Sequence, residues 1–148
     1  MNEMNQGQIL LPVLALAGLT FVVLLQIPYR RFKAGLNGLV TSDDFKLGES
    51  KRVPDYVVLA NRNYMNLLEL PVLFYVACIL FYILEAVEIQ VLALAWGYVL
   101  LRFLHSGIHL CYNKVLHRLI AFASSNLVLA IMWIYLLMPI FFAANINA

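Results

Sequence analysis

Residues 62–84 read "RNYMNLLELPVLFYVACILFYIL", and this stretch decides the fold. No residue from Val72 to Leu84 carries a charge or a side-chain amide. Strands of a membrane β-barrel alternate polar and apolar side chains, whereas apolar residues run unbroken here. The run therefore predicts a helix that crosses a membrane. The polar residues at its head need a separate explanation: Arg62, Asn63, Asn66 and Glu69.

The composition of the whole chain supports this interpretation. The 148 residues are 64% hydrophobic and 12% charged, and the mean hydropathy is +0.85. A soluble domain has about 25% charged residues, so this chain is too poor in charge to cover a water-facing surface. We expect an all-α integral membrane protein with one domain, residues 1–148. Its two cysteines, Cys78 and Cys111, are too few for a zinc site, and we expect neither a metal nor a nucleic-acid partner.

Four apolar segments exceed the ~20 residues that are needed to cross ~30 Å of hydrocarbon. Proline is tolerated in a first turn and often follows a helix end, so we take Pro12 as near the start of the first helix and Pro28 as near its end. The last three segments have short links, which predicts antiparallel neighbours in a four-helix bundle. The predicted helices are about 9–29, 57–84, 89–110 and 116–142, and residues 30–56 form a long polar loop.

Lysine and arginine residues are confined to one side of this topology. All ten lie in loop 30–56, in the link 111–115, or on helix stretches toward those loops. Cytoplasmic loops of membrane proteins carry an excess of these residues. The distribution predicts that both loops are cytoplasmic and that both termini are extracytoplasmic. We expect a bacterial inner membrane or a membrane of the endoplasmic reticulum type.

Polar residues form a stripe on the second and on the third predicted helix. Arg62, Asn66 and Glu69 are spaced i, i+4 and i+7, which places them on one face toward the cytoplasmic end. Charges at membrane depth are costly and usually mark function. The third helix repeats the pattern with i, i+3 and i+7 spacing, and an arginine opens the fourth helix on the same side: Arg102, His105, His109 and Arg118.

The two stripes together have an excess of positive charge. Such a pocket suits an anionic ligand that arrives from the cytoplasm or the inner leaflet. Structural alternatives remain open: Glu69 and Arg102 could only neutralise each other, and Arg62 could extend its charge to the lipid headgroups. A transporter or channel subunit is disfavoured, because the outer halves of helices 2 to 4 carry almost no polar residues to line a path.

The arrangement resembles the MAPEG family, the membrane-associated proteins in eicosanoid and glutathione metabolism, over nearly the whole chain. The most specific element is Arg-x-x-x-Asn-x-x-Glu followed by proline. Arg-x-x-His on the third helix is the second, and an arginine thirteen residues after that histidine is the last. In this chain the three elements are Arg62, Asn66, Glu69 and Pro71; Arg102 and His105; and Arg118.

The resemblance implies a homotrimer that binds glutathione between neighbouring subunits near the cytoplasmic face. The polar stripes, with His109, would bind glutathione as cosubstrate, and Arg118 would stabilise its thiolate. Family members conjugate glutathione to lipophilic electrophiles, reduce lipid hydroperoxides or isomerise an endoperoxide, and some bind lipid without catalysis. This chain departs from the family in two places: His109 stands where vertebrate members often have tyrosine, and Met65 where the prostaglandin E synthase branch has arginine.

The chemistry can be argued independently of the family. A free thiol has a pKa of ~8.5, so little thiolate exists at neutral pH. A nearby guanidinium favours the thiolate, and arginine remains protonated even when it is partly buried. Together with the resemblance, this chemistry implies a glutathione transferase or peroxidase with Arg118 as its catalytic residue. The alternative is a non-catalytic membrane scaffold of the same fold that binds lipid or glutathione.

Overall fold

The computed structural model describes residues 5–146, and side chains for residues 5–138. Four stretches are long and apolar enough to cross a membrane: Gln6–Leu36, Asp55–Ile83, Ile89–Cys111 and Val115–Met138. The predicted all-α bundle with four membrane spans is therefore confirmed. The elements are a 3₁₀ helix Gln6–Ile9, α1 Leu10–Leu36, a 3₁₀ helix Ser42–Phe45, α2 Asp55–Leu68, α3 Pro71–Ile83, α4 Ile89–Cys111 and α5 Val115–Ile146.

Helix α1 continues past the end that we predicted near residue 29. Pro28 lies inside it and costs one backbone hydrogen bond, a loss that membrane helices tolerate. The helix ends at Leu36 and is followed by Gly38, whose φ of 68° is left-handed. The Gly38 amide donates to the Gly35 carbonyl at 2.9 Å, and the Leu39 amide to that of Ala34 at 3.0 Å. These two bonds form a Schellman motif, which closes the carboxyl end of α1.

The second span is two helices, which corrects the single helix that we predicted over residues 57–84. Pro71 has no amide hydrogen to bond the carbonyl of Leu67, four residues earlier. The chain leaves helical geometry at Glu69, where ψ is −97°, and α3 then begins with Pro71. The break lies within one continuous apolar span.

The half of the bundle that holds the amino terminus is closed by apolar packing and one amide. The ring of Phe74 on α3 stacks on that of Tyr98 on α4, with centroids 4.6 Å apart. The Oε1 of Gln6 accepts a hydrogen bond of 2.9 Å from the amide of Val87, in the link between α3 and α4. The amino-terminal turn is therefore fastened to that link.

The loop between α1 and α2 is organised around one carboxylate. Asp44 accepts hydrogen bonds from the Ser50 hydroxyl at 2.6 Å and from the Thr41 amide at 2.8 Å. These bonds, that from Ser50 first, lower the pKa of the Asp44 carboxyl. Arg30 joins α1 to α2 by donating to the Tyr56 carbonyl at 2.7 Å.

Candidate functional site

Arg118, in the first turn of α5, is held at both its backbone and its side chain. Its Nη1 donates to His109 Nε2 at 3.2 Å and to Asn113 Oδ1 at 2.9 Å. Its carbonyl accepts a hydrogen bond of 3.2 Å from His105 Nδ1. A carbonyl can only accept, so the Nδ1 of His105 carries a hydrogen. Two histidines of α4 and one link residue thus fix where Arg118 lies.

A cavity of 240 Å³ lies beside Arg118, between α2, α4 and α5. Asn66, His105 and Arg118 were predicted to share one site, and all three line this cavity. His109 joins them through its bond to Arg118. The rest of the wall is apolar and comes from α5: Val115, Leu119 and Phe122.

Arg62 lies next to this cavity rather than in its wall. It is exposed on the subunit and lines a second cavity of 290 Å³, together with Asp55 and Asn113. The Asn66 side chain donates to the Arg62 carbonyl at 2.9 Å. The polar stripe on α2 therefore contributes side chains to the walls of two cavities.

Arg102 is completely buried, with 0% of its surface exposed. Its Nε donates to the Tyr98 hydroxyl at 3.0 Å, and its Nη2 to Asn126 Oδ1 at 3.2 Å. Its guanidinium also lies 5.2 Å from the ring centroids of Tyr98 and Phe122. In this arrangement Arg102 joins α4 to α5 and has no surface open to a ligand.

The neutralising pair between Glu69 and Arg102, one of our alternatives, does not form within the subunit. Glu69 is exposed at the break between α2 and α3. Among the described residues, the ion pairs are Arg31 with Glu49 and Lys46 with Asp43. A carboxylate within the apolar span is thus left on the outer surface of the subunit.

Three residues that hold the two arginines were given no place in the predicted site. Tyr98 lies one helical turn before Arg102, a spacing that places two side chains on one face. Asn126 lies two turns after Arg118, but no spacing rule joins it to Arg102 on another helix. Asn113 is a polar residue in a short link, which by itself indicates only a turn.

The arrangement can bind an anion next to apolar groups. Arg118 supplies a positive charge at one wall of the cavity, and the opposite amide of Asn66 supplies a polar contact. In the part of the chain that the structure describes, no group of three or more histidine, cysteine or acidic side chains could hold a metal ion. The polar groups at the site belong to arginine, histidine and asparagine side chains.

Fold and site together define a small multi-pass integral membrane protein with a cationic cavity among its helices. The family model for MAPEG matches residues 9–138, nearly the whole chain, and the chain belongs to the MAPEG family. Membership makes it a membrane protein of glutathione-related or eicosanoid metabolism. Searches of curated proteins and of solved structures found no match.

Proposed function

We propose that this protein is a glutathione-dependent transferase or peroxidase that acts on lipophilic electrophiles or lipid hydroperoxides. The observation that carries the proposal is the placement of Arg118. Two neutral acceptors hold its guanidinium at a cavity whose other wall is apolar. Such a cavity can hold a thiolate beside the charge and a lipophilic substrate beside the thiolate.

The residues of the site have different roles in binding glutathione and in activating its thiol. Arg118 stabilises the thiolate of bound glutathione, so that more of the thiol is ionised at neutral pH. Asn66, His105 and His109 provide polar contacts next to it, and Arg62 in the adjacent cavity binds a carboxylate of the tripeptide. Glu69 meets the ammonium group. The apolar wall concentrates the lipophilic substrate near the sulfur, which raises the rate by proximity.

We propose further that the protein is a homotrimer in which a neighbouring subunit completes this site. The 240 Å³ cavity of one subunit is smaller than the ~300–1,000 Å³ of a typical ligand pocket. Arg62 and Glu69 lie exposed on a membrane-crossing segment, where charged groups are costly unless they are covered or paired. A second copy of the chain would cover both and enlarge the cavity.

Replacement of Arg118 by alanine tests the proposal. Glutathione binding should persist, because other groups hold the carboxylates and the ammonium. Turnover at neutral pH should fall by about tenfold or more, since each pKa unit is worth ~1.4 kcal/mol. Raising the pH should restore part of the rate by ionising the thiol directly. Titration with glutathione, followed by the ultraviolet absorbance of the thiolate, measures the ionisation itself.

Lys114→Ala is the matched control, because Lys114 is an exposed cation one turn before Arg118; it should behave as wild type. Loss of glutathione binding in Arg118→Ala, or an equal loss of turnover at pH 6.5 and pH 9, would make Arg118 a binding or structural residue. A wild-type protein that binds glutathione but turns over neither electrophiles nor hydroperoxides would be the non-catalytic scaffold.

A further inference from the structure

Asn113, in the link between α4 and α5, has a backbone conformation that favours glycine. Its φ is 46°, in the left-handed region that only glycine, and less often asparagine or aspartate, adopts readily. Its amide donates to the Ile108 carbonyl at 2.8 Å, which closes the end of α4. A glycine would satisfy this backbone requirement at least as well. The asparagine side chain therefore has a role apart from the turn.

The Asn113 side chain contacts Arg118. The two N–H groups of Arg118 Nη1 are both used, one by Asn113 Oδ1 at 2.9 Å and one by His109 Nε2 at 3.2 Å. Two acceptors on one nitrogen fix the direction of the planar guanidinium. Among the residues that the structure describes, the Arg118 side chain makes no other hydrogen bond, so Nε and Nη2 can meet a ligand.

Both acceptors are uncharged, and this matters for the strength of the site. A carboxylate in place of either one would hold the guanidinium equally well but would compete with a bound anion for its charge. An amide and a neutral imidazole leave the full positive charge of Arg118 available. Asn113 also lines the second cavity, which Asp55 shares.

We infer that Asn113 is a positioning residue, which together with His109 directs the Arg118 guanidinium to the cavity lined by Asn66 and His105. The inference rests on the proposed function of Arg118. Asn113 touches no reacting atom and acts only through the arginine. Its loss should therefore reduce thiolate formation without removing the groups that bind the rest of glutathione.

Two substitutions separate the side chain from the turn. Asn113→Gly keeps the left-handed backbone and removes the acceptor. At saturating glutathione it should lower the thiolate absorbance and the turnover at neutral pH by about tenfold, the order expected for loss of one hydrogen bond to a charged group. The pH profile should move to higher pH, and KM for glutathione should change little. Asn113→Asp keeps the acceptor but adds a competing charge, so its pH profile should move further.

Both changes are then repeated in the Arg118→Ala background, where neither should have any additional effect. The inference is overturned if Asn113→Gly and Asn113→Asp match the wild type, or if their losses persist in full without Arg118. If Asn113→Gly does not fold, Asn113→Asp is the test: it is compared with the wild type, and again in the Arg118→Ala background. If the wild type forms the thiolate and Arg118→Ala does not, the proposed function stands, even if the Asn113 variants behave as wild type. If the wild type forms no thiolate, both the proposed function and the inference about Asn113 are overturned.

Discussion

The hydrogen bond between Arg102 and Asn126 should be a measurable part of the stability of the bundle. Asn126→Leu removes the acceptor of the Arg102 Nη2 group, at 3.2 Å, and leaves a fully buried guanidinium with one fewer partner. The Arg102 Nη1 group already lacks a partner among the described residues. The substitution therefore removes a partner from a buried guanidinium whose hydrogen bonds are already incomplete.

The magnitude follows from the surroundings of the bond. Neutral hydrogen bonds between membrane helices average ~0.6 kcal/mol and reach ~1.7 kcal/mol. A guanidinium donor makes the bond charge-assisted and hence stronger, and Arg102 is 0% exposed. We expect Asn126→Leu to lower the free energy of unfolding by about 1.5–2 kcal/mol. For a chain of this length, that corresponds to a fall in Tm of roughly 5 °C.

Thermal unfolding in a mild detergent measures the loss, and a double-mutant cycle identifies its cause. With Arg102→Met as the background, Asn126→Leu should be nearly neutral, because the leucine then removes an unpaired polar group. Ser124→Ala, on another face of α5, serves as the control and should have little effect. An equal loss from Asn126→Leu with and without Arg102 would refute the reasoning.

Three further predictions concern topology, assembly and the loop. A reporter that is active only in the cytoplasm, fused to the carboxyl terminus, should be silent, because the lysines and arginines lie toward the opposite face; a bright signal would reverse the orientation. Native mass spectrometry in mild detergent should show trimers, and a purely monomeric protein would leave Glu69 uncovered and contradict the shared site. The lowered pKa of Asp44 contributes stability to the loop above the ordinary value of ~3.9, and that contribution is lost as the pH falls through the lowered value. Proteolysis within residues 37–54 should therefore increase at low pH, whereas Asp44→Asn should be cleaved readily at neutral pH and Asp43→Asn should not.

The four spans could be predicted from the sequence because length and apolar character decide a membrane crossing. The details at prolines could not be predicted from composition. Pro28 and Pro71 carry the same backbone defect, yet α1 continues through the first and the second begins a new helix. The sequence does contain a signal for the observed end of α1, because an asparagine followed by Gly38 commonly ends a helix.

Helical periodicity predicted which residues of the site share a face of one helix, but not which residues meet across helices. Spacing placed Arg102 and His105 on one face of α4, but periodicity does not say which neighbouring helix meets that face. Arg102 turned out to bond Tyr98 and Asn126, while the cavity lies one turn further along at His105. The role of Asn113 depends on a left-handed φ and a contact across the link, and neither is visible in a residue pattern.

The break at Glu69 divides one membrane crossing into two helices, each with its own packing neighbours. Bending a continuous helix strains its whole hydrogen-bond ladder, whereas a proline break confines the change to a single turn. Helix α3 is anchored by the stacking of Phe74 on Tyr98. Helix α2 is anchored separately, by hydrogen bonds that Tyr56 and Asn63 accept from α1 and α4. A change in the direction of one helix therefore need not disturb the packing of the other.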